Sequence, residues 1–281
     1  MDVQHGHNEA IGIFDSGVGG LTVFRRIAER LPSESILYLG DTARVPYGTK
    51  SADTVIRYAR GCAGILVERG IKILVVACNT ASSCALEALQ EELDVPVIGV
   101  IEPGAAVAAR RTRNKKIGVI GTTGTIDSEA YPLAIRAIEP EAHVFCKACP
   151  LFVPFVEEGW TDGKVVQEVA RVYLAEMREQ GVDTLVLGCT HYPLLRHVIS
   201  GIMGPGVTLV DSAEATAEVV AEVLDGMDMT AADTKTSHAE AASYRPAADH
   251  HFLVSDSPSS FAVIGRRFLG HDVGEVEWVD F

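Results

Sequence analysis

The sequence predicts an α/β protein in which helices cover parallel sheets, with one unit built twice. Three observations carry that expectation. Short apolar, β-branched runs alternate with helical periodicities along most of the chain, the pattern of parallel strands joined by crossover helices. Landmarks recur at nearly one offset: Gly12 and Gly118 lie 106 residues apart, Val97 and Val207 110, Cys78 and Cys189 111. Finally, two strands, one in each half, run into a small residue, a cysteine and polar residues that open a helix, LVVACNT (74–80) and LVLGCTH (185–191).

The elements follow in order. The apolar run 11–14 breaks into Asp15-Ser16-Gly17-Val18-Gly19-Gly20, after which Leu21, Phe24, Ile27, Ala28 and Leu31 recur at helical spacing. A second strand, 36–39, ends in Gly40-Asp41-Thr42 and the loop Val45-Pro46-Tyr47-Gly48. A helix over 51–69 leads to the strand 73–77 and Cys78, then to a helix burying Ala85, Leu86, Leu89 and Leu93, and to a strand over 96–101. The pattern restarts with a strand at 117–120 that ends in Gly121-Thr122-Thr123-Gly124-Thr125, with a helix from about 126. A short strand at 144–146 precedes an irregular Pro-rich stretch at 150–154. A long helix over 164–180 and the strand 184–187 deliver Cys189. Pro193, favoured in a first helical turn, opens a helix with Leu194, Leu195, Val198, Ile199 and Ile202 on one face. A strand at 207–210 and a helix over 213–224 complete the second copy. Residues 227–250, rich in Ala, Asp, Ser and Thr without apolar period, read as a mobile surface insertion. The tail, with strands at 252–254 and 277–281 around a helix near 259–268, is expected to join the first unit. The division expected is therefore 1–100 plus 211–281 for one domain and 101–210 for the other.

Composition narrows the function. Asp and Glu number 38 against 24 Lys and Arg, a formal net charge of -14, which argues against a nucleic-acid or anionic-membrane partner. No apolar run reaches the ~20 residues a membrane helix needs, and the first residues lack a signal-peptide pattern. Six cysteines in a chain of this kind read as reduced thiols rather than a disulfide framework, so the cytoplasm is the expected compartment.

Two cysteines at matched positions suit one kind of chemistry. Racemising an amino acid requires removing an α-proton from one face and returning a proton to the other. A thiolate and a thiol on opposite walls can do this and exchange roles with the enantiomer bound. Each cysteine precedes a helix start, where free amides and the dipole favour anions, so a lowered thiol pKa is expected as well as docking for carboxylates. At an ordinary pKa only about 3% of a thiol is ionised at pH 7, so some tuning is needed. A single cysteine at a strand end is more often a small core residue, and the matched pair with polar followers reverses those odds. Cys62 and Cys84 fall within helices as packing. Cys146-Lys-Ala-Cys149 has metal-ligand spacing but no second pair or histidine cluster, so no metal site is expected. The G-V-G-G turn lacks the spacing of a nucleotide loop.

With these residues assembled, the chain resembles the glutamate racemases, bacterial enzymes that make D-glutamate for peptidoglycan. The matching stretches are IGIFDSGVGGLTV (11–23), YLGDTARVPYGTKS (38–51), ACNTAS (77–82), IGVIGTTGTI (117–126), CPLFVPFVEEG (149–159) and GCTHYPLL (188–195). The resemblance implies two similar flavodoxin-like domains with parallel sheets, related by pseudo-twofold symmetry, with the active site in the cleft between them. It implies that Cys78 and Cys189 are the two acid/base residues, that Asp15 assists Cys78, and that His191 and Glu157 assist Cys189. Substrate contacts are implied for Asp15, Ser16, Tyr47, Gly48, Asn79, Thr80, Thr122, Thr190 and His191, with Thr125 a weaker candidate. No pyridoxal phosphate or metal is implied. Glutamate is the implied partner, and a homodimer is common in the family. Rival readings are an aspartate racemase of the same thiol logic, a cysteine hydrolase using Cys189 with His191, and a non-catalytic amino-acid-binding module.

Overall fold

The computed structural model describes residues 9–231 and 248–281. The chain begins β1 (Ala10–Asp15), α1 (Leu21–Arg30), β2 (Ile36–Gly40), a 3-10 turn (Tyr47–Thr49), α2 (Ala52–Glu68), β3 (Ile71–Val76), α3 (Asn79–Cys84), α4 (Leu86–Glu92) and β4 (Val97–Gly99). It continues through α5 (Ile101–Arg111), β5 (Lys116–Gly121), α6 (Thr123–Asp127), α7 (Ala130–Ile138), β6 (His143–Ala148) and α8 (Phe152–Glu157). Then come α9 (Lys164–Gln180), β7 (Thr184–Gly188), a 3-10 turn (Tyr192–Leu195), α10 (Arg196–Met203) and β8 (Thr208–Asp211). Last are α11 (Ser212–Gly226), β9 (His250–Val254), α12 (Pro258–Leu269) and β10 (Val276–Trp278).

The strands form two sheets, β10-β9-β2-β1-β3-β4 and β6-β5-β7-β8, and every pairing is parallel. Within each, the order β2-β1-β3-β4 is repeated as β6-β5-β7-β8, so the sequence repeat is a repeat of topology. Register makes the match specific. Gly12 lies opposite Leu74, and Gly118 opposite Leu185; four residues beyond each leucine stands a cysteine. Helices on both faces bury the central strands completely, as their unbroken apolar runs require. The α/β class and the parallel sheets are thus those expected from the alternation of patterns.

Several elements differ from the sequence expectation. Residues 101–111 form α5, where the run 96–101 reads as strand to its end. Pro103 falls in the first turn, where no amide donor is needed, and Gly104 lets the helix approach Ser212, so tertiary packing overrides weak helix propensity. The Pro-rich stretch read as irregular is the helix α8, with Pro154 likewise in its first turn. The helix after Cys78 is broken at Ala85 into α3 and α4. Of the insertion read at 227–250, residues 232–247 lie outside the described residues. Its near edge is held by a buried ion pair. Lys72 Nζ lies 2.6 Å from Glu34 Oε2 and donates to Met229 O at 2.7 Å, while Ala231 N donates to Glu34 Oε1 at 2.6 Å. A buried pair is stable only when its remaining donors and acceptors are filled this way.

Candidate active site

Ser16, Cys78, Thr122 and Cys189 follow the carboxyl ends of β1, β3, β5 and β7, and all four line one cavity of about 40 Å³. This is where parallel sheets place ligands, because strand ends and helix starts leave loops and unpaired amides there. Cys78 and Cys189 are 5% and 6% exposed, and both line this shared space. They are close enough for a charge on Cys189 to be felt at Cys78.

The Cys78 side is dry and acidic. The thiol donates to Ser16 Oγ at 3.6 Å. Burial pushes its pKa up to about 12, with the Asp15 carboxylate adding to the rise. This reverses the expectation of a lowered thiol pKa. The helix that follows has six residues and contributes one amide bond, from Ala81, too little to offset desolvation. Asp15 lies behind the wall rather than on it. Gly17 N donates to its Oδ2 at 3.0 Å, Oδ1 is buried without a partner, and burial raises its carboxyl pKa despite the opposing charge of His191.

The Cys189 side carries a cation. Cys189 Sγ lies 3.9 Å from His191 Nδ1, and His191 Nε2 lies 3.0 Å from Glu157 Oε1. Burial alone would lower the imidazole pKa, but hydrogen bonds with the Cys189 sulfur and the Glu157 carboxylate outweigh it and push it up to about 10. Phe268 of α12 packs edge-on against the ring, with centroids 5.4 Å apart. Arg267, one residue earlier, donates to Glu157 O. A first-sheet helix therefore braces the histidine ring and the backbone of the glutamate in the second half.

The two halves meet around these thiols. Thr22 Oγ1 donates to Thr190 O at 3.1 Å, and a Cβ on Gly19 would lie 2.3 Å from Thr190 Oγ1 and 2.4 Å from His191 Nδ1. Across the cavity, Gly48 is held so close to Thr122 that a Cβ there would come within 2.6 Å of the threonine Cβ. Beside it the hydroxyls of Thr80, Thr122 and Thr125 form a triangle with sides of 2.9 to 3.2 Å. Such a cluster of hydroxyls and amides offers donors to a carboxylate. Asn79 and Thr190 line the wall as well.

Every singled-out residue except Asp15 and the weaker candidate Thr125 therefore borders the cavity, as does Gly17. Tyr47 is among them, and its hydroxyl is committed to Asp41 at 2.5 Å. That buried carboxylate also accepts from Ser255 Oγ at 2.7 Å and Arg44 Nη1 at 3.0 Å, tying the Tyr47-Gly48 loop to the segment after β9. Sequence reasoning did not reach Asp41, Arg267, Phe268 or Tyr131, whose roles depend on contacts far along the chain. A carboxylate held between a strand end and a proline loop was the only local signal for Asp41. Among the described residues no cluster of three or more metal-ligating side chains occurs, and no helix is long and apolar enough to cross a membrane.

Comparison with known proteins accords with this geometry. The family model described as Asp/Glu/Hydantoin racemase matches residues 11–220. A glutamate racemase of Geobacter metallireducens is 58% identical over 268 residues, 95% of each chain. Among solved structures, a glutamate racemase of Bacillus anthracis superposes with a TM-score of 0.89 at 40% identity, covering 98% of both chains. That of Francisella tularensis, solved in complex with D-glutamate, gives 0.87 at 35% identity, again covering 98% of both. The chain belongs to the Asp/Glu/hydantoin racemase family and, within it, groups with the glutamate racemases, enzymes of the isomerase class.

Proposed function

We propose that the chain interconverts L- and D-glutamate by a two-base transfer without cofactor, in the cytoplasm, supplying D-glutamate for peptidoglycan. One cysteine, as thiolate, takes the α-proton from one face. The other, as thiol, gives its proton to the opposite face of the carbanion, and the product leaves with thiol and thiolate exchanged between the walls. Asp15 assists Cys78, while His191 and Glu157 assist Cys189. Ser16, Tyr47, Gly48, Asn79, Thr80, Thr122 and Thr190 hold the substrate. The lobes 1–100 plus 211–281 and 101–210 move apart to admit it, because a cavity of about 40 Å³ is smaller than the amino acid it must hold.

The observation that carries this reading is that both thiols border one small cavity from different sheets, each with its own titratable neighbour. The D-glutamate held by the Francisella tularensis relative supports the substrate class. The test is incubation of the chain with each glutamate enantiomer in deuterated water. Deuterium should enter at the α-carbon as the mixture becomes racemic without added cofactor, and turnover of aspartate should be far slower. Cys78→Ser and Cys189→Ser should each abolish interconversion, since each removes one proton carrier. Full activity in both directions for either variant would overturn the two-base assignment.

A further inference from the structure

Asn79 and Tyr131 come from different sheets, one after β3 and the other in α7, and they meet in the buried interior. The Tyr131 hydroxyl donates to Asn79 Oδ1 at 2.8 Å. The other end of the same carboxamide, Nδ2, is buried and has no hydrogen-bond partner. Asn79 borders the cavity. A buried NH2 left without an acceptor is rare in folded proteins and calls for an explanation, most simply an acceptor that arrives with a ligand.

Tyr131 is well built for holding the amide. Its side chain is 1% exposed, Ser212 hydrogen-bonds to it, and Gly104 and Gly188 pack close to its ring. Burial raises its phenol pKa, so it keeps the proton it donates. A carboxamide can turn over about its last bond at little cost, exchanging carbonyl for NH2. With Ser212 already hydrogen-bonded to the phenol, the Tyr131 hydroxyl gives its proton to Oδ1, which favours this setting over the exchanged one.

We propose that Tyr131 is a positioning residue that sets the Asn79 carboxamide with its NH2 free to donate to a carboxylate of the bound amino acid. Since donor and acceptor belong to different sheets, this setting exists only when the two halves stand as they do here. An anionic ligand is therefore met by this donor only in the closed arrangement. The inference rests on the reading of the cavity as a glutamate site, and it adds a residue outside the cavity wall to the recognition of that substrate.

Tyr131→Phe removes the hydroxyl and little else. KM for both enantiomers should rise about tenfold, as for a lost charge-assisted hydrogen bond. kcat should fall less than the KM rise, and the pH profile of kcat should be unchanged because neither thiol is touched. In an Asn79→Ala background the same substitution should add nothing, because its partner is gone. The rise in thermal midpoint on adding glutamate, which needs no turnover, should shrink in Tyr131→Phe. If Tyr131→Phe does not fold, Asn79→Asp still tests the donor: it replaces the NH2 by oxygen and should raise KM at least tenfold. Parental KM in either variant, or full additivity in the double variant, overturns the proposal. Racemisation by the parent chain with an unmoved KM in Tyr131→Phe sinks only this assignment. A parent chain neither active on glutamate nor stabilised by it sinks the glutamate reading and this inference together.

Discussion

The two thiols occupy equivalent places in a repeated topology, yet their neighbours have nothing in common. Cys78 stands over a buried carboxyl, with a serine hydroxyl at 3.6 Å and its own pKa raised to about 12. Cys189 stands beside an imidazole pushed to about 10, which a glutamate pins from the far side at 3.0 Å. The repeat explains why. Asp15 ends β1, and the residue at the matching end of β5 is Gly121, which pairs with Ala148 as Asp15 pairs with Gly40. Glu157 comes from α8, which follows β6; the corresponding segment after β2 is the loop carrying Tyr47. Duplicated strands thus place the sulfur atoms symmetrically, while loops of different length and composition supply each with a different partner. Symmetry of the backbone does not extend to the chemistry, and the proposed two-base transfer does not need it to, because that transfer starts with the two thiols in opposite protonation states.

The comparison is broken if the partners prove interchangeable in effect. His191→Asn removes the one cationic side chain that borders the cavity among the described residues and should lower kcat/KM roughly a hundredfold or more, the usual span for a group coupled to proton transfer. Asp15→Asn should cost less, on the order of tenfold, since Asp15 stands behind the wall and Ser16 stays in contact with the thiol. Steady-state racemisation monitored by circular dichroism measures both. Equal losses would mean that the half-sites act alike despite their structures.

A second experiment sharpens the contrast through pH. His191 binds its proton up to a pH of about 10 in the folded chain and only to about 6.5 when unfolded. The folded state then holds the extra proton between those values, so stability from this group is complete below pH 6.5 and fades as pH rises toward 10. Urea midpoints taken at pH 6.5 and 9.5 should fall across that interval in the parent and fall less in His191→Asn. A slope identical in the two proteins would remove the ion pair from the account. The smallest effect is expected for Ser16→Ala, which takes a weak acceptor from Cys78 and should lower kcat about threefold. A loss as large as that for His191→Asn would move the weight of the site to the first lobe.

Much of this was legible in the residues alone. The helix expected over 164–180 is α9 to the residue, because its apolar positions keep one period between a glycine at each end. The offset between glycines and between cysteines pointed to a repeat that the strand orders bear out. α5 and α8 were not legible, since proline and glycine in short segments obscure a helix that neighbours stabilise. Nor could local pattern reveal that Tyr131 reaches Asn79, 52 positions away, or that Asp41 gathers Tyr47, Arg44 and Ser255.

The alternation of strands and helices, the two cysteines at matched strand ends and the polar residues beside them are properties of consecutive residues, and the amino-acid order determined them unaided. The burial that raises one thiol, the ion pair that keeps the imidazole charged and the bonds between sheets exist only once distant segments are packed, since desolvation and hydrogen bonding depend on which atoms surround a group rather than on which residues precede it.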